Sequence, residues 1–202
     1  MKTAPVVAVF LLLAAAGCHG QLRDLPEQGG TTEKSRVEPR LSRVASKLVG
    51  EKIEVRCWSQ RDWRELIEDR AASSPHELAG IAGEGGPVDL APEACGPLVE
   101  ALYAGTRPAT GAAGILAAYA VGILAHELEH VRGEMDEETA ECHGMQRLVA
   151  VARKLGFSTA DSRRLAGIYW REIYPDPERG YRASECRNGG ELDLRRRSSV
   201  WP

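Results

Sequence analysis

Leu41, Val44, Leu48 and Val49 recur at helical spacing, and the next segment, KIEVRC over residues 52 to 57, alternates apolar with charged positions as a half-buried strand does. Ser59 is a capping residue for a helix running to Arg70, with Trp63, Leu66 and Ile67 on one side. Residues 77 to 92, ELAGIAGEGGPVDLAP, predict two short strands around a Glu-Gly-Gly turn. His76 and Glu77 precede them and are expected on the surface. Pro92 opens a short helix to about Tyr103, which Gly105 and Pro108 close. A long helix follows from about Ala109 to Arg132. Its residues 109 to 125 carry no charge, which is close to the length needed to cross a bilayer. The run is dominated by Ala and Gly and ends in His126 and Glu127, so a buried central helix is expected instead.

Gly133 breaks that helix, and Asp136 caps another through about Leu155, ended by Gly156. Ser158 with Asp161 forms a capping box for a last helix to about Ile173. Beyond Tyr174, Pro175, Pro177, Gly180, Gly189 and Gly190 exclude long elements and leave a tail that only Cys186 is expected to pin. The pattern predicts an α+β fold, mostly helical, with a small β-sheet or hairpin.

The N-terminus changes the picture. Lys2 precedes an apolar stretch from Val6 to Ala16, and small residues lead into Cys18, which predicts a secretory signal over residues 1–18. LAAAGC is similar to a bacterial lipobox, so Cys18 is a candidate lipid anchor, with cleavage nearby and simple secretion as the alternative. Residues 19–40 are polar and rich in Gly, Pro, Glu and Gln, and are expected to be a flexible linker. Residues 41–202 then form the domain, with no transmembrane helix in the mature chain. The expected location is secreted or attached to the cell envelope. Apart from Cys18, four cysteines remain: Cys57, Cys95, Cys142 and Cys186. In an oxidising compartment they predict two disulfides, in one of three connectivities. A net charge of -3, with basic residues dispersed among acidic ones, excludes a nucleic-acid binder, and Arg195 to Arg197 are a solvated tail.

The candidate chemistry lies in AHELEHVRGEMDEETAEC, residues 125 to 142. Positions i and i+4 share a helix face, so His126 and His130 can aim their imidazoles at one point and suit a tetrahedral Zn2+ ion. Glu127, one residue after the first ligand, faces the ion's open position as a general base. HELEH matches the HExxH pattern and resembles the zincin metallopeptidases, which implies a zincin-like domain around a central HExxH helix.

Catalytic zinc needs a third protein ligand. HExxHxxGxxD resembles the metzincin motif and would use Asp136. EETAE resembles the gluzincin arrangement, with Glu137 as ligand and Glu141, one turn on, supporting a histidine ring. Glu137 is preferred, because Asp136 is engaged as a cap and Glu137 and Glu141 would otherwise repel each other. The spacing of six residues between His130 and Glu137 is far tighter than in thermolysin-like enzymes. VRCWS with the DW at 62 and 63, HELEHVRG with DEETAEC, and YRASECRNGGELDL to the closing VWP are similar to small exported bacterial HExxH proteins. That resemblance implies a zincin-like domain and brings no substrate of its own. The expected activity, from the site's chemistry, is a zinc-dependent hydrolysis of peptide bonds in peptide or protein substrates, with Tyr169, Tyr174, Tyr181 and His143 as candidate oxyanion donors. The alternatives are a non-catalytic metal-binding protein of the envelope, or a disulfide-stabilised scaffold without metal.

Overall fold

A computed structural model describes residues 35–69, 79–106, 110–175 and 181–202. The expected signal segment and Cys18, together with Arg70, His76, Glu77 and Ala109, lie outside them. The elements run β1 (Ser35–Val37), α1 (Pro39–Val49), β2 (Val55–Trp58), α2 (Gln60–Asp69), β3 (Gly80–Ile81), β4 (Val88–Leu90), α3 (Pro92–Tyr103), α4 (Gly111–Val131), α5 (Glu137–Lys154) and α6 (Thr159–Ile168), with a closing π-helical turn at Tyr169–Ile173. The architecture is α+β and mostly helical, as the apolar spacing predicts.

Local chemistry explains most boundaries. Pro39 and Pro92 occupy first-turn positions, where a missing N–H costs nothing. Asp136 accepts from Thr139 N at 2.9 Å, and Ser158 accepts from Asp161 N at 3.0 Å. Gly133 and Gly156 adopt φ of 95° and 102°, a left-handed backbone that residues with a Cβ avoid. The expected linker ends earlier than residue 40. Arg36 pairs with Cys57 in β1, and the buried Glu38 side chain caps α1 through Arg40 N. Three short alternating residues in a polar context carry too weak a pattern to read as a strand.

The four strands form one sheet in the order β1-β2-β4-β3. β3 and β4 pair antiparallel around the turn at Gly83 to Gly86, but β2 and β4 are parallel. A parallel pairing needs a crossover, supplied by α2. Trp63 and Ile67 of α2 are buried with Ala91 against the half-buried Trp58.

α4 is the axis of the fold and packs against α3, α5 and α6. It is long and apolar enough to span a membrane by composition. Its residues from Ala120 to Val131 are all buried in the protein, which accounts for the apolar character of that half of the helix. Two glycines bring its neighbours close. A Cβ on Gly122 would lie 2.0 Å from Tyr169 Cε2, and one on Gly144 of α5 would lie 2.8 Å from the backbone nitrogen of His126. Gly122→Ala is expected to destabilise the fold by about 1–3 kcal/mol, since overpacking displaces a buried ring. A shift in the urea midpoint checks this.

Disulfides join Cys57 to Cys95 and Cys142 to Cys186, with Cα separations of 5.8 and 5.6 Å. The first ties the sheet to α3 and the second ties the tail to α5. Cys186 is not the tail's only anchor. Gln146 of α5 donates to Leu192 O at 2.8 Å and accepts from Leu194 N at 2.8 Å, and Trp201 packs edge-on against Trp170. A polar side chain one turn beyond Cys142 gives no sign in the sequence of what it will hold. Replacing Cys142 and Cys186 by serine opens a loop of 44 residues and is expected to cost about 4 kcal/mol. Urea denaturation measures it.

Candidate metal centre

The site sits where the last turns of α4 meet the first turn of α5. His126 and His130 are one helical turn apart and both buried, at 6 % exposure. Their Nε2 atoms face each other at 2.9 Å. Glu137 Oε2, from the first position of α5, lies 3.1 Å from His126 Nε2 and 3.4 Å from His130 Nε2. Ligands about 2.0–2.1 Å from a tetrahedral ion stand roughly 3.3–3.4 Å apart, so the three atoms have the spacing of one face of such a shell. Together they could hold a metal ion.

The ring orientations are set from behind. His126 Nδ1–H donates to Glu141 Oε2 at 3.1 Å, and His130 Nδ1–H donates to the carbonyl of Glu134 at 2.6 Å. A carboxylate and a carbonyl only accept, so they place the proton of each neutral ring on Nδ1 and leave the Nε2 lone pair facing the centre. Glu141 is in turn held by Tyr169, whose hydroxyl donates to Oε1 at 2.7 Å. The tight turn through Gly133 makes this possible: Gly133 N and Glu134 N bond to the carbonyls of His130 and Glu129.

Two lone pairs and a carboxylate oxygen crowded together repel one another unless a cation sits among them. In the metal-free protein a proton fills that role. Burial works against charging His126, but hydrogen bonds to Glu137 and Glu141 and the nearby Glu127 carry its pKa up to about 10. His130 is raised as well: burial and the neighbouring His126 oppose its charge, but its bonds to Glu137 and the Glu134 carbonyl, with Glu127 nearby, together outweigh them. The two rings hold Glu137 down at about 2. The donor set therefore fits a divalent ion that displaces a proton.

Glu127 completes the group. It is 4 % exposed and lies against Gly80 of β3, where any Cβ would come within 2.6 Å of Oε1. Its Oε2 is buried with no hydrogen-bond partner, a condition that costs about 1–3 kcal/mol or more. Burial pushes its pKa to about 7, partly offset by His126 and His130.

The other carboxylates of the segment are placed elsewhere. Asp136 is exposed and occupied as the α5 cap. Glu129 is buried on another face of α4, in an ion pair with Arg132 and 3.0 Å from Arg147 Nε, a contact without hydrogen-bond alignment. Arg132 continues to Leu48 O at 2.9 Å and ties α4 to α1. Of the candidate donors, Tyr169 is committed to Glu141. Tyr174 is buried, stacks on Trp170 and reaches Ala183 O at 3.4 Å. His143 is half-buried, its pKa lowered first by burial and also by Arg147, against the opposing pull of Glu129 and Glu134. Tyr181 lies over the His126 ring, with 5.7 Å between centroids.

Sequence reasoning missed Gly80, Gly144, the Glu134 carbonyl and the link from Tyr169 to Glu141. None has a local signature, because each acts through a neighbour distant in sequence or through the backbone. No protein-family model, curated protein or solved structure matches this chain.

Proposed function

We propose that this chain is a zinc-dependent metallopeptidase, exported and held at the cell envelope or secreted. The observation that carries this reading is the buried, unpartnered Glu127 Oε2 beside a three-atom donor cluster. A purely structural metal site has no use for a further, orphaned carboxylate, whereas a catalytic centre keeps one position open and needs a base there. Two imidazoles and one carboxylate at tetrahedral spacing favour zinc among the divalent ions. When bound, zinc supplies Lewis acidity that lowers the pKa of a water to about 7 and polarises a carbonyl.

The chain's own residues do the remaining work. Glu127 Oε2 accepts the proton of the attacking water and returns it to the leaving amine. Glu141, held by Tyr169, keeps His126 in the tautomer that offers Nε2 inward. β3 is an edge strand of the sheet and passes beside Glu127 at Gly80. An extended substrate pairing along that edge would bring its backbone carbonyl to the centre. Tyr181, over His126, is the donor best placed for the oxyanion, and Tyr181→Phe is expected to lower kcat by roughly a hundredfold without loss of metal. Steady-state kinetics beside metal analysis test that separation.

The direct test of the reading is cleavage of an unfolded protein substrate by the purified chain. Hydrolysis should require zinc, stop with a chelator and return on adding zinc back. A chain that binds stoichiometric zinc and cleaves nothing is a metal-binding protein instead.

Metal affinity is also expected to depend on pH. The raised pKa of His126, about 10, means that below that value an incoming ion expels a proton. Affinity should rise about tenfold per pH unit between roughly pH 6 and 9, for one proton released. Calorimetry in buffers of different ionisation heat counts it. In the metal-free fold the sign reverses: the raised pKa contributes stability that is complete below 6.5 and is lost as pH climbs toward 10.

A further inference from the structure

Charge is spread unevenly around the metal centre. From Gly133 to Gln146 the chain carries Glu134, Asp136 and Glu138 beside the candidate ligand Glu137 and its support Glu141, and neither lysine nor arginine. The hairpin from Ala79 to Ala91 adds Glu84 at its tip and also has neither. Cations of the adjoining segments are engaged elsewhere: Arg132 bonds to Leu48 O, Arg147 lies against Glu129, and Arg182 donates to Pro175 O at 3.2 Å. Glu137 and Glu141 already match the two charges of a divalent ion, so the other carboxylates are left without a counter-charge. Glu84 and Glu138 are exposed and have no hydrogen bond or ion pair among the described residues.

Exposed carboxylates alone make a solvated face. Here an independent feature points to a ligand. Glu127, 4 % exposed, carries its unpartnered Oε2 into the same region, where its charged neighbours include His126, His130 and Glu137. The hairpin joins that atom to the acidic rim. Gly80 packs against Glu127 at one end, Gly85 N donates to Val131 O at 3.0 Å, and a Cβ on Gly133 would lie 3.7 Å from the Glu84 carboxyl carbon at the other. β3 and the turn after it therefore run along the end of α4. Gly133 stands six residues after Glu127, about 9 Å along the axis. A chain paired along the free edge of β3 advances about 3.3 Å per residue, so a side chain two or three positions from the bond at Glu127 arrives at Glu84. Among the described residues only His126, His130 and Glu137 stand close enough to share an ion, so the rim is too widely spaced for a second metal and suits a charged chain.

We propose that the centre receives cationic polypeptides, with Glu84 selecting a lysine or arginine two or three positions from the bond presented to Glu127. Cleavage of that bond rests on the peptidase reading above; the recognition of positive charge does not. Glu134 and Glu138 extend the field that gathers such chains, an effect that salt screens.

To test it, the zinc-loaded chain is incubated with peptides from a digested, denatured protein mixture, and the cleaved bonds are mapped by mass spectrometry. Lysine and arginine are expected at least about fivefold above their abundance at one of those positions, with aspartate and glutamate depleted. Glu84→Lys should reverse the preference while zinc content and circular dichroism stay unchanged. Binding is read separately on the Glu127→Gln chain, by anisotropy of labelled peptides of about twelve residues rich in lysine or in glutamate. The lysine peptide should bind about tenfold tighter or more at low salt, and lose most of that advantage when Glu84→Lys is added or the salt is raised. Cleavage without charge preference overturns the proposal and leaves the peptidase reading standing. No cleavage, with the binding preference intact, removes the peptidase reading and supports the recognition of cationic chains. Equal binding of the two peptides, or a preference unmoved by Glu84→Lys, overturns the proposal.

Discussion

Glu127→Gln keeps zinc in the protein and lowers peptide hydrolysis by at least about a thousandfold. The substitution preserves shape, which matters because the side chain is packed closely against Gly80. It also removes the one group able to take a proton at Oε2, an atom that no other residue serves. Burial raises the Glu127 pKa, so a neutral amide is tolerated there at least as well as a carboxylate, and stability is expected to be unchanged or slightly higher. Zinc content by elemental analysis, beside turnover of an unfolded substrate, separates the two effects. Zinc retained with full activity would remove Glu127 from the mechanism and with it the argument for a peptidase.

Glu137→Ala has the opposite signature: the fold stays and the metal is lost. Structural zinc sites gain roughly 10–16 kcal/mol from four ligands, so one ligand is worth on the order of 3 kcal/mol, or a hundredfold or more in affinity. Without Glu137 Oε2 the two Nε2 atoms remain 2.9 Å apart with only each other. Asp136→Ala is the informative comparison. Asp136 is adjacent in sequence and equally acidic, but its carboxylate bonds to Thr139 N, so its loss costs about 1 kcal/mol of stability and leaves metal affinity alone. Competition titration with a chromophoric chelator, together with thermal melts, distinguishes them. Equal loss of affinity in both variants would place the third ligand elsewhere.

The contrast between Asp136 and Glu137 shows how much of this site was legible beforehand. A helix cap has a recognisable chemistry, so placing Asp136 at the boundary left Glu137 as the first helical carboxylate and Glu141 one turn later. The pairing of His126 with His130 needed only helical periodicity. What holds those rings was not readable to the same degree. The Glu134 carbonyl has no identity in a sequence, and Tyr169 is 28 positions from its partner Glu141. The central helix gave a similar lesson. Its lack of charge indicated an apolar surround but not which one, and only packing distinguishes the half buried among α3, α5 and α6 from the first turns that face outward.

The sequence by itself determined the elements whose signals are local: the helix that Pro92 opens, the glycine breaks, the capped α5 and α6, and the i, i+4 histidines, because each depends on backbone preferences and side chains a few residues apart. The tertiary structure alone decided the parallel pairing of β2 with β4, the partners of the four cysteines, and the placement of Gly80 and Gly144 against Glu127 and His126. Those contacts join segments tens of residues apart. They are selected by close packing and by satisfying buried polar groups together, which no single stretch of chain encodes.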